Sequence, residues 1–197
     1  IRFIQAFHAS GTQKRDLLEQ ATNLYQELIQ ELEDPNGLYY QFLSQTNYPP
    51  LLEQSHYELA KLHLQSKQED QAELIFNKMQ SKQRKLQQKH GYYLSRVWYH
   101  LGEIKTSKLE HQEALNNFLE SEKAAKGKVL STDKKLDLWL KIARSHQNLN
   151  QLDEAMLMLS KVINEFVSSD LRIEAMYLRA LIYEQQGKKE FAIKQLE

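Results

Sequence analysis

Apolar residues recur at intervals of three and four along most of this 197-residue chain. This spacing follows the 3.6-residue period of an α-helix and not the two-residue alternation of a strand. A small residue also lies twelve positions before an alanine four times, and the pairs are Ala60 and Ala72, Gly102 and Ala114, Ala143 and Ala155, and Ala180 and Ala192. Such self-similarity predicts stacked copies of one unit, each too small to bury its apolar face alone.

The apolar spacing within each copy predicts two helices joined by a turn, with the small residue on the first helix and the alanine on the second. Packing at an interaxial distance of about 8–10 Å requires small side chains where two helices cross. We therefore expect a bulkier residue at Gly102 or Ala114 to force the second pair of helices apart.

The second copy resembles the tetratricopeptide repeat (TPR), whose signature begins W-x2-L-G-x2-Y and continues with A-x3-F. Trp98, Leu101, Gly102, Ala114 and Phe118 carry this match. The resemblance covers roughly residues 53–197. It implies an all-α fold in which antiparallel helix pairs form a right-handed superhelical array, a TPR-like α-solenoid.

Two features depart from the standard repeat. The tyrosine of the first helix is replaced in three copies, by His63, Lys105 and His146. From Ala72, the successive alanines at 114, 155 and 192 are separated by 42, 41 and 37 residues, against about 34 in the standard unit. Units of this length resemble those of motor light chains and polarity adaptors.

The chain is expected to divide into a degenerate helical segment and four repeat units. The segment covers residues 1–52 with a turn at 34–37. Its apolar stretch, Leu38, Tyr39, Tyr40, Phe42 and Leu43, should be buried against the first unit. The units fall at about 53–94, 95–135, 136–172 and 173–197. Because the last unit stops one turn past Ala192 and residue 1 is isoleucine, we expect that unit to be truncated and the sequence to be part of a longer chain.

The stretch from residue 162 to 197 is similar to the repeats of bacterial envelope proteins such as the outer-membrane barrel-assembly lipoprotein. Phe166, Glu174, Tyr177, Arg179 and Gly187 carry this likeness. It implies a bacterial protein, and it favours the periplasm over the cytoplasm.

Composition argues against several classes of function. The 26 basic and 26 acidic residues cancel, whereas nucleic-acid binding depends on a clustered positive excess. The chain has no cysteine, which excludes disulfide bonds and thiol chemistry. No apolar run approaches the length needed to insert into a membrane. The oligomeric state is left open.

No catalytic constellation is recognisable in the sequence. It lacks a glycine-rich phosphate loop and a nucleophile elbow. His56 and His63 lie two helical turns apart, about 10.5 Å along the axis, which is too far for one metal ion. We therefore expect no enzymatic activity, no cofactor and no metal site, with His56 filling a packing position.

By resemblance to the TPR family, positions flanking the packing residues of the first helices point into a concave groove. Tyr57, Tyr99 and Tyr177 share one such position, where rigid aromatic rings suit peptide binding; the alternative is that they pack against the neighbouring unit. The row also includes Thr106, Asp137 and Glu174. The predicted groove residues are Tyr57, Lys61, Arg96, Tyr99, Glu103, Leu140, Lys141, Arg144, Gln147, Tyr177 and Leu181.

The resemblance implies a scaffold or adaptor that binds a peptide or protein partner in this groove. Chaperone-type C-terminal tails are not expected partners, because Tyr57, Tyr99 and Leu140 stand where a carboxylate clamp needs lysine and asparagine. Two alternatives remain. The first alternative is that the chain is the soluble module of a bacterial envelope-assembly or secretion-chaperone system. The second and more remote one is that it is the regulatory arm of an enzyme.

Overall fold

The computed structural model describes residues 10–38, 40–41, 50–86, 93–125, 131–165 and 170–196, and no strand occurs in these ranges. The prediction of an all-α chain is therefore confirmed. The helices of these ranges are α1 (Gly11–Glu33), α2 (Pro50–Gln65), α3 (Glu69–Leu86), α4 (Leu94–Ser107), α5 (His111–Ala125), α6 (Thr132–Asn148), α7 (Leu152–Asn164), α8 (Asp170–Gln185) and α9 (Lys189–Leu196).

The chain forms two compact units, residues 1–97 and 98–197, and each is described by itself. In the first unit α1 packs against α2, and α2 packs against α3. In the second unit α5 contacts α6, α6 contacts α7, and α8 contacts α6, α7 and α9. Short turns join α2 to α3, α6 to α7 and α8 to α9, so the helices of each pair run antiparallel.

The small residues that define the repeat lie in the core. Ala60, Ala72 and Ala155 are completely buried, and Ala114, Ala143 and Ala180 are nearly so. Gly102 is also buried, whereas Ala192 on the last helix is half-buried. Around them in the second unit, large side chains such as Leu136, Ile142, Leu159, Val162 and Ile182 form a continuous cluster. The twelve-residue spacing thus marks the interior of the helix pairs.

All four helix pairs share the same turn. One residue has a left-handed backbone, and the N–H of the next residue donates to the carbonyl oxygen five positions earlier, as in the Schellman helix ending. Only the fourth turn has glycine at the left-handed position. The left-handed residues are Lys67, Leu109, Asn150 and Gly187, with φ between 57° and 75°, and the bonds run from Gln68 to His63, Glu110 to Lys105, Gln151 to His146 and Lys188 to Tyr183 at 2.8–2.9 Å.

The residues that replace the signature tyrosine reinforce these turns. Nδ1 of His63 donates to Oε1 of Gln68 at 2.7 Å, and His146 makes the same bond to Gln151 at 2.7 Å. In the second pair Nζ of Lys105 lies 2.6 Å from Oε2 of Glu110. Each bond joins the end of the first helix to the start of the second, so the departures from the signature carry a local structural role.

Upstream of the repeats, α1 contributes Leu18 and Ala21 to a small cluster with Leu62. Residues 34–37 form a turn in which the Asn36 N–H donates to Oδ1 of Asp34 at 2.9 Å. The expected burial of the next segment is wrong where the structure describes it, because Leu38 is 84% exposed and Tyr40 is 42% exposed. Tyr39, Phe42 and Leu43 lie outside the described residues.

Candidate partner-binding groove

A groove of about 500 Å³ lies in the second unit between the first helices of three successive pairs, α4, α6 and α8. All but one of its lining residues come from these helices, and Phe118 comes from α5. The lining residues are Glu103, Thr106, Ser107, Phe118, Asp137, Leu140, Lys141, Arg144, Ser145, Asn148 and Glu174.

Helical spacing on α6 explains why this helix supplies the centre of the groove. Asp137, Lys141, Arg144 and Asn148 follow one another at intervals of three and four, which places them on one face. Leu136 and Ile142 point away from this face and are completely buried in the core. The same helix therefore carries an interior face and a polar groove face.

Polar contacts across the groove connect the three helices. The hydroxyl of Tyr99 on α4 donates to Oδ2 of Asp137 on α6. Nζ of Lys141 lies 3.0 Å from Oε1 of Glu103 on α4, and Nη2 of Arg144 lies 2.5 Å from Oε1 of Glu174 on α8. Because these ion pairs are partly exposed, each contributes at most about 1 kcal/mol to stability. Their main effect is to hold the groove side chains in defined positions.

Tyr99 and Glu103 on α4 experience opposite electrostatic effects. Burial raises the pKa of Tyr99 well above its ordinary value, and the hydrogen bond to Asp137 and the carboxylates of Glu103 and Asp137 raise it further. Burial would also raise the pKa of Glu103, but the hydrogen bond from His100 and the charge of Lys141 outweigh it and lower that pKa. Tyr99 therefore remains a neutral hydrogen-bond donor, and Glu103 remains an anion.

The structure brings together four of the predicted groove residues, Glu103, Leu140, Lys141 and Arg144, as lining residues of the groove. Tyr99 borders them through its bond to Asp137, and Nζ of Lys141 lies 5.4 Å from the centre of the Tyr99 ring. These contacts place Tyr99 and Glu103 of α4 in one cluster with Leu140, Lys141 and Arg144 of α6.

Three predicted residues, Gln147, Tyr177 and Leu181, lie on α6 and α8 outside the lining. Tyr177 is 54% exposed, whereas Gln147 and Leu181 are half-buried.

The predicted residues of the first unit form a separate aromatic cluster. Tyr57 is only 5% exposed, and its ring centre lies 4.8 Å from that of Tyr93. Nζ of Lys61 lies 5.5 Å from the Tyr57 ring, and the guanidinium of Arg96 lies 5.8 Å from the Tyr93 ring. Of the three tyrosines at the shared position, Tyr57 therefore packs, while Tyr177 is open to solvent.

The comparisons with known proteins agree with this architecture. A tetratricopeptide repeat family model matches residues 137–169. The chain carries tetratricopeptide-like repeats. The matched segment contains most of α6 and all of α7, so it identifies this helix pair as TPR-like directly from sequence. No curated protein sequence matches the chain.

Solved structures extend the TPR likeness over the whole chain. A Podosopora anserina protein assigned as a kinesin light chain, with nearly identical TPR-like repeats, is 17% identical and has a TM-score of 0.69, covering 99% of this chain and 90% of that one. A MamA structure is 15% identical with a TM-score of 0.58 and covers 95% and 92%. MamA from Desulfovibrio magneticus RS-1 is 12% identical with a TM-score of 0.55 and covers 89% and 90%. At these identities the likeness is one of fold.

The resemblance of the long repeats to motor light chains thus holds at the level of the TPR-like fold. The narrower resemblance to bacterial barrel-assembly lipoproteins stays a prediction. Sequence reasoning missed Ser107, Phe118, Ser145 and Asn148 as groove-lining residues. Asn148 follows Arg144 by four positions on α6, so its spacing was a usable signal; Phe118 carried none, because it lies on a second helix.

The described parts of the TPR-like chain also bear on membrane insertion and metal binding. None of their helices is long and apolar enough to cross a bilayer. Among the same residues, no three histidine or acidic side chains are grouped to hold a metal ion. His56 is nearly buried, and its Nδ1 donates to the carbonyl oxygen of Leu52 at 2.9 Å.

Proposed function

We propose that this chain is a protein-interaction scaffold that binds a peptide segment of a partner in the groove between α4, α6 and α8. The observation that carries the proposal is the meeting of three first helices around an open cavity of about 500 Å³, lined by both polar and apolar side chains. A cavity of this size lies within the usual range for binding sites. It has room for a few residues of an extended or helical peptide.

The groove side chains are ordered before any partner arrives. Lys141 is held by Glu103 and the Tyr99 ring, and Arg144 is held by Glu174. Ordering a long flexible side chain on binding costs about 0.5–1.5 kcal/mol. Contacts that already fix Lys141 and Arg144 reduce this cost, which favours recognition of a peptide.

The arrangement supports binding better than catalysis. Lys141, Arg144, Glu103 and Glu174 are committed to ion pairs, so none of them is poised as a free acid or base. Function has to be argued from a site and not from the fold. The site present here offers hydrogen bonds, charge and an aromatic ring, which are the means of peptide recognition.

The test is selection of random displayed peptides on the immobilised chain, followed by affinity measurement with fluorescently labelled copies of the enriched peptides. The groove variant combines Thr106→Trp with Asn148→Trp, because both residues line the groove and are exposed, so the changes fill its space without altering its charge. The matched control is Arg172→Trp, at an exposed position of α8 outside the groove.

We expect the groove variant to weaken binding by at least about tenfold, while the control binds like the wild type. Circular dichroism and thermal unfolding should show that both variants remain folded. If the folded groove variant retains wild-type affinity for every enriched peptide, the assignment of the groove is wrong.

A further inference from the structure

Asp137 differs from the other two carboxylates of the groove in its partner. Glu103 is paired with Lys141, and Glu174 is paired with Arg144. The hydrogen-bond partner of Asp137 within the described residues is the hydroxyl of Tyr99, which is neutral. A carboxylate has about four lone-pair positions for hydrogen bonds, so one hydroxyl leaves most of the acceptor capacity of Asp137 available.

The charges of the groove lining do not balance. Its three carboxylates, Glu103, Asp137 and Glu174, face two cations, Lys141 and Arg144, which leaves one negative charge. Asp137 is half-buried, where a charge is less screened than at an open surface. Burial is the main cause of the raised pKa of Tyr99, and the carboxylates of Glu103 and Asp137 raise it further, as a negative potential at this end of the groove would.

The cation that follows Asp137 on the same face of α6 is already paired. Lys141 lies one helical turn from Asp137 on α6, but its Nζ makes an ion pair with Glu103 on the neighbouring helix. An acidic peptide would compete with Glu103 and Glu174 for Lys141 and Arg144, and it would increase the negative excess. A basic side chain removes the excess without breaking either pair.

We propose, on the basis of the function proposed above, that Asp137 forms with Tyr99 a subsite for a lysine or arginine side chain of the bound peptide. The cation donates to the oxygens of Asp137, while Tyr99 keeps the carboxylate in place by donating its hydroxyl hydrogen. A hydrogen-bonded ion pair of this kind is stronger than a neutral hydrogen bond. The groove therefore selects peptides that carry a basic residue at one fixed position.

The experiment pairs changes in the protein with changes in the peptide. The probe is the tightest peptide from the display selection, made in its original form and with each arginine replaced in turn by citrulline or each lysine by norleucine. The protein variant is Asp137→Asn, which keeps an acceptor oxygen for Tyr99. The matched control is Asp153→Asn, the same change at an exposed position of α7.

We expect Asp137→Asn and one neutral replacement in the peptide each to weaken binding about tenfold, and the two together to weaken it little further. Asp153→Asn should leave the affinity unchanged. The neutral replacement of the basic residue in the peptide tests the cation subsite even if the Asp137→Asn protein is unstable.

Three results would overturn the subsite. If the enriched peptides contain no basic residue, or if neutral replacements cost nothing while Thr106→Trp with Asn148→Trp still weakens binding, the groove binds peptides but Asp137 does not select a cation. If every enriched peptide binds the groove variant as tightly as the wild type, both the proposed function and the subsite are wrong.

Discussion

The ring of Phe118 on α5 occupies the space in which Gly102 on α4 would carry a side chain. A Cβ atom built on Gly102 would lie 2.5 Å from Cε1 and 2.6 Å from Cδ1 of Phe118, much closer than real Cβ contacts. The two helices of the second pair can therefore approach as they do only with glycine at position 102. The other pairs have alanine at the corresponding position.

Replacing Gly102 by alanine should destabilise the second pair. Phe118 is almost completely buried, so one extra methyl group at position 102 overpacks its contact with the ring. Overpacking of this kind costs about 1–3 kcal/mol of unfolding free energy. Urea unfolding followed by circular dichroism measures the loss.

The third pair supplies the control for this prediction. It has Ala143 and Leu159 at the positions of Gly102 and Phe118, and both residues are buried. In a Phe118→Leu background, Gly102→Ala should therefore cost markedly less than in the wild type. Equal costs in the two backgrounds would show that the ring is not the obstacle.

Replacing Leu109 by glycine should stabilise the protein. Leu109 has φ of +60° in the turn between α4 and α5, and a left-handed backbone costs a residue with a side chain about 1–2 kcal/mol. Glycine avoids this cost but loses about 0.5–1 kcal/mol more backbone entropy on folding. Since the side chain is 74% exposed, little burial is lost, and we expect a net gain of about 0.5–1 kcal/mol.

Asn150→Gly is the matched control, because Asn150 has the same conformation in the third turn and asparagine tolerates it. This change should leave the unfolding free energy nearly unchanged. A loss of stability in Leu109→Gly would mean that the exposed leucine makes contacts that outweigh its backbone strain.

Stability should depend on the ionisation of Glu103. The pKa of Glu103 is lowered in the folded state, because the hydrogen bond from His100 and the charge of Lys141 outweigh burial. A carboxyl group with a lowered pKa stabilises the fold above its unfolded pKa of about 4.3, and this contribution is lost as the pH falls through the folded value. Solvent exposure keeps the effect below about 1 kcal/mol.

The measurement compares urea unfolding of wild type and Glu103→Gln at about pH 7 and about pH 3.5, on either side of the ordinary glutamate pKa. The wild type should be the more stable protein at the higher pH, and the difference should shrink at the lower pH. A difference that is constant with pH would rule out the ion pair with Lys141 as its source.

Much of the helical architecture was predictable from the sequence, because burial imposes a strict pattern on small residues. The four pairs from Ala60 to Ala192 identified the helix pairs, and Trp98, Leu101 and Gly102 identified the TPR-like signature. The left-handed conformation of the turn residues was harder to predict from the sequence. Asparagine and glycine signal such a conformation at 150 and 187, but Lys67 and Leu109 adopt it because the helix-ending hydrogen bonds require it.

The groove was predicted less completely, because a shared repeat position does not fix the environment of its side chain. Tyr57 meets Tyr93 and Phe76 and is buried, Tyr99 meets Asp137, and Tyr177 remains exposed. These differences depend on the residues that the next helix presents. The importance of Asp137 likewise follows only from the pairing of its neighbours across the groove.

The central claim is that partner peptides bind between the first helices α4, α6 and α8. The most direct test is a titration of isotopically labelled protein with a selected peptide, followed by backbone amide chemical shifts in solution. The account predicts that the largest changes fall at groove residues such as Glu103, Lys141, Arg144 and Asn148. Changes confined to α5, α7 and α9, with these residues unaffected, would contradict it.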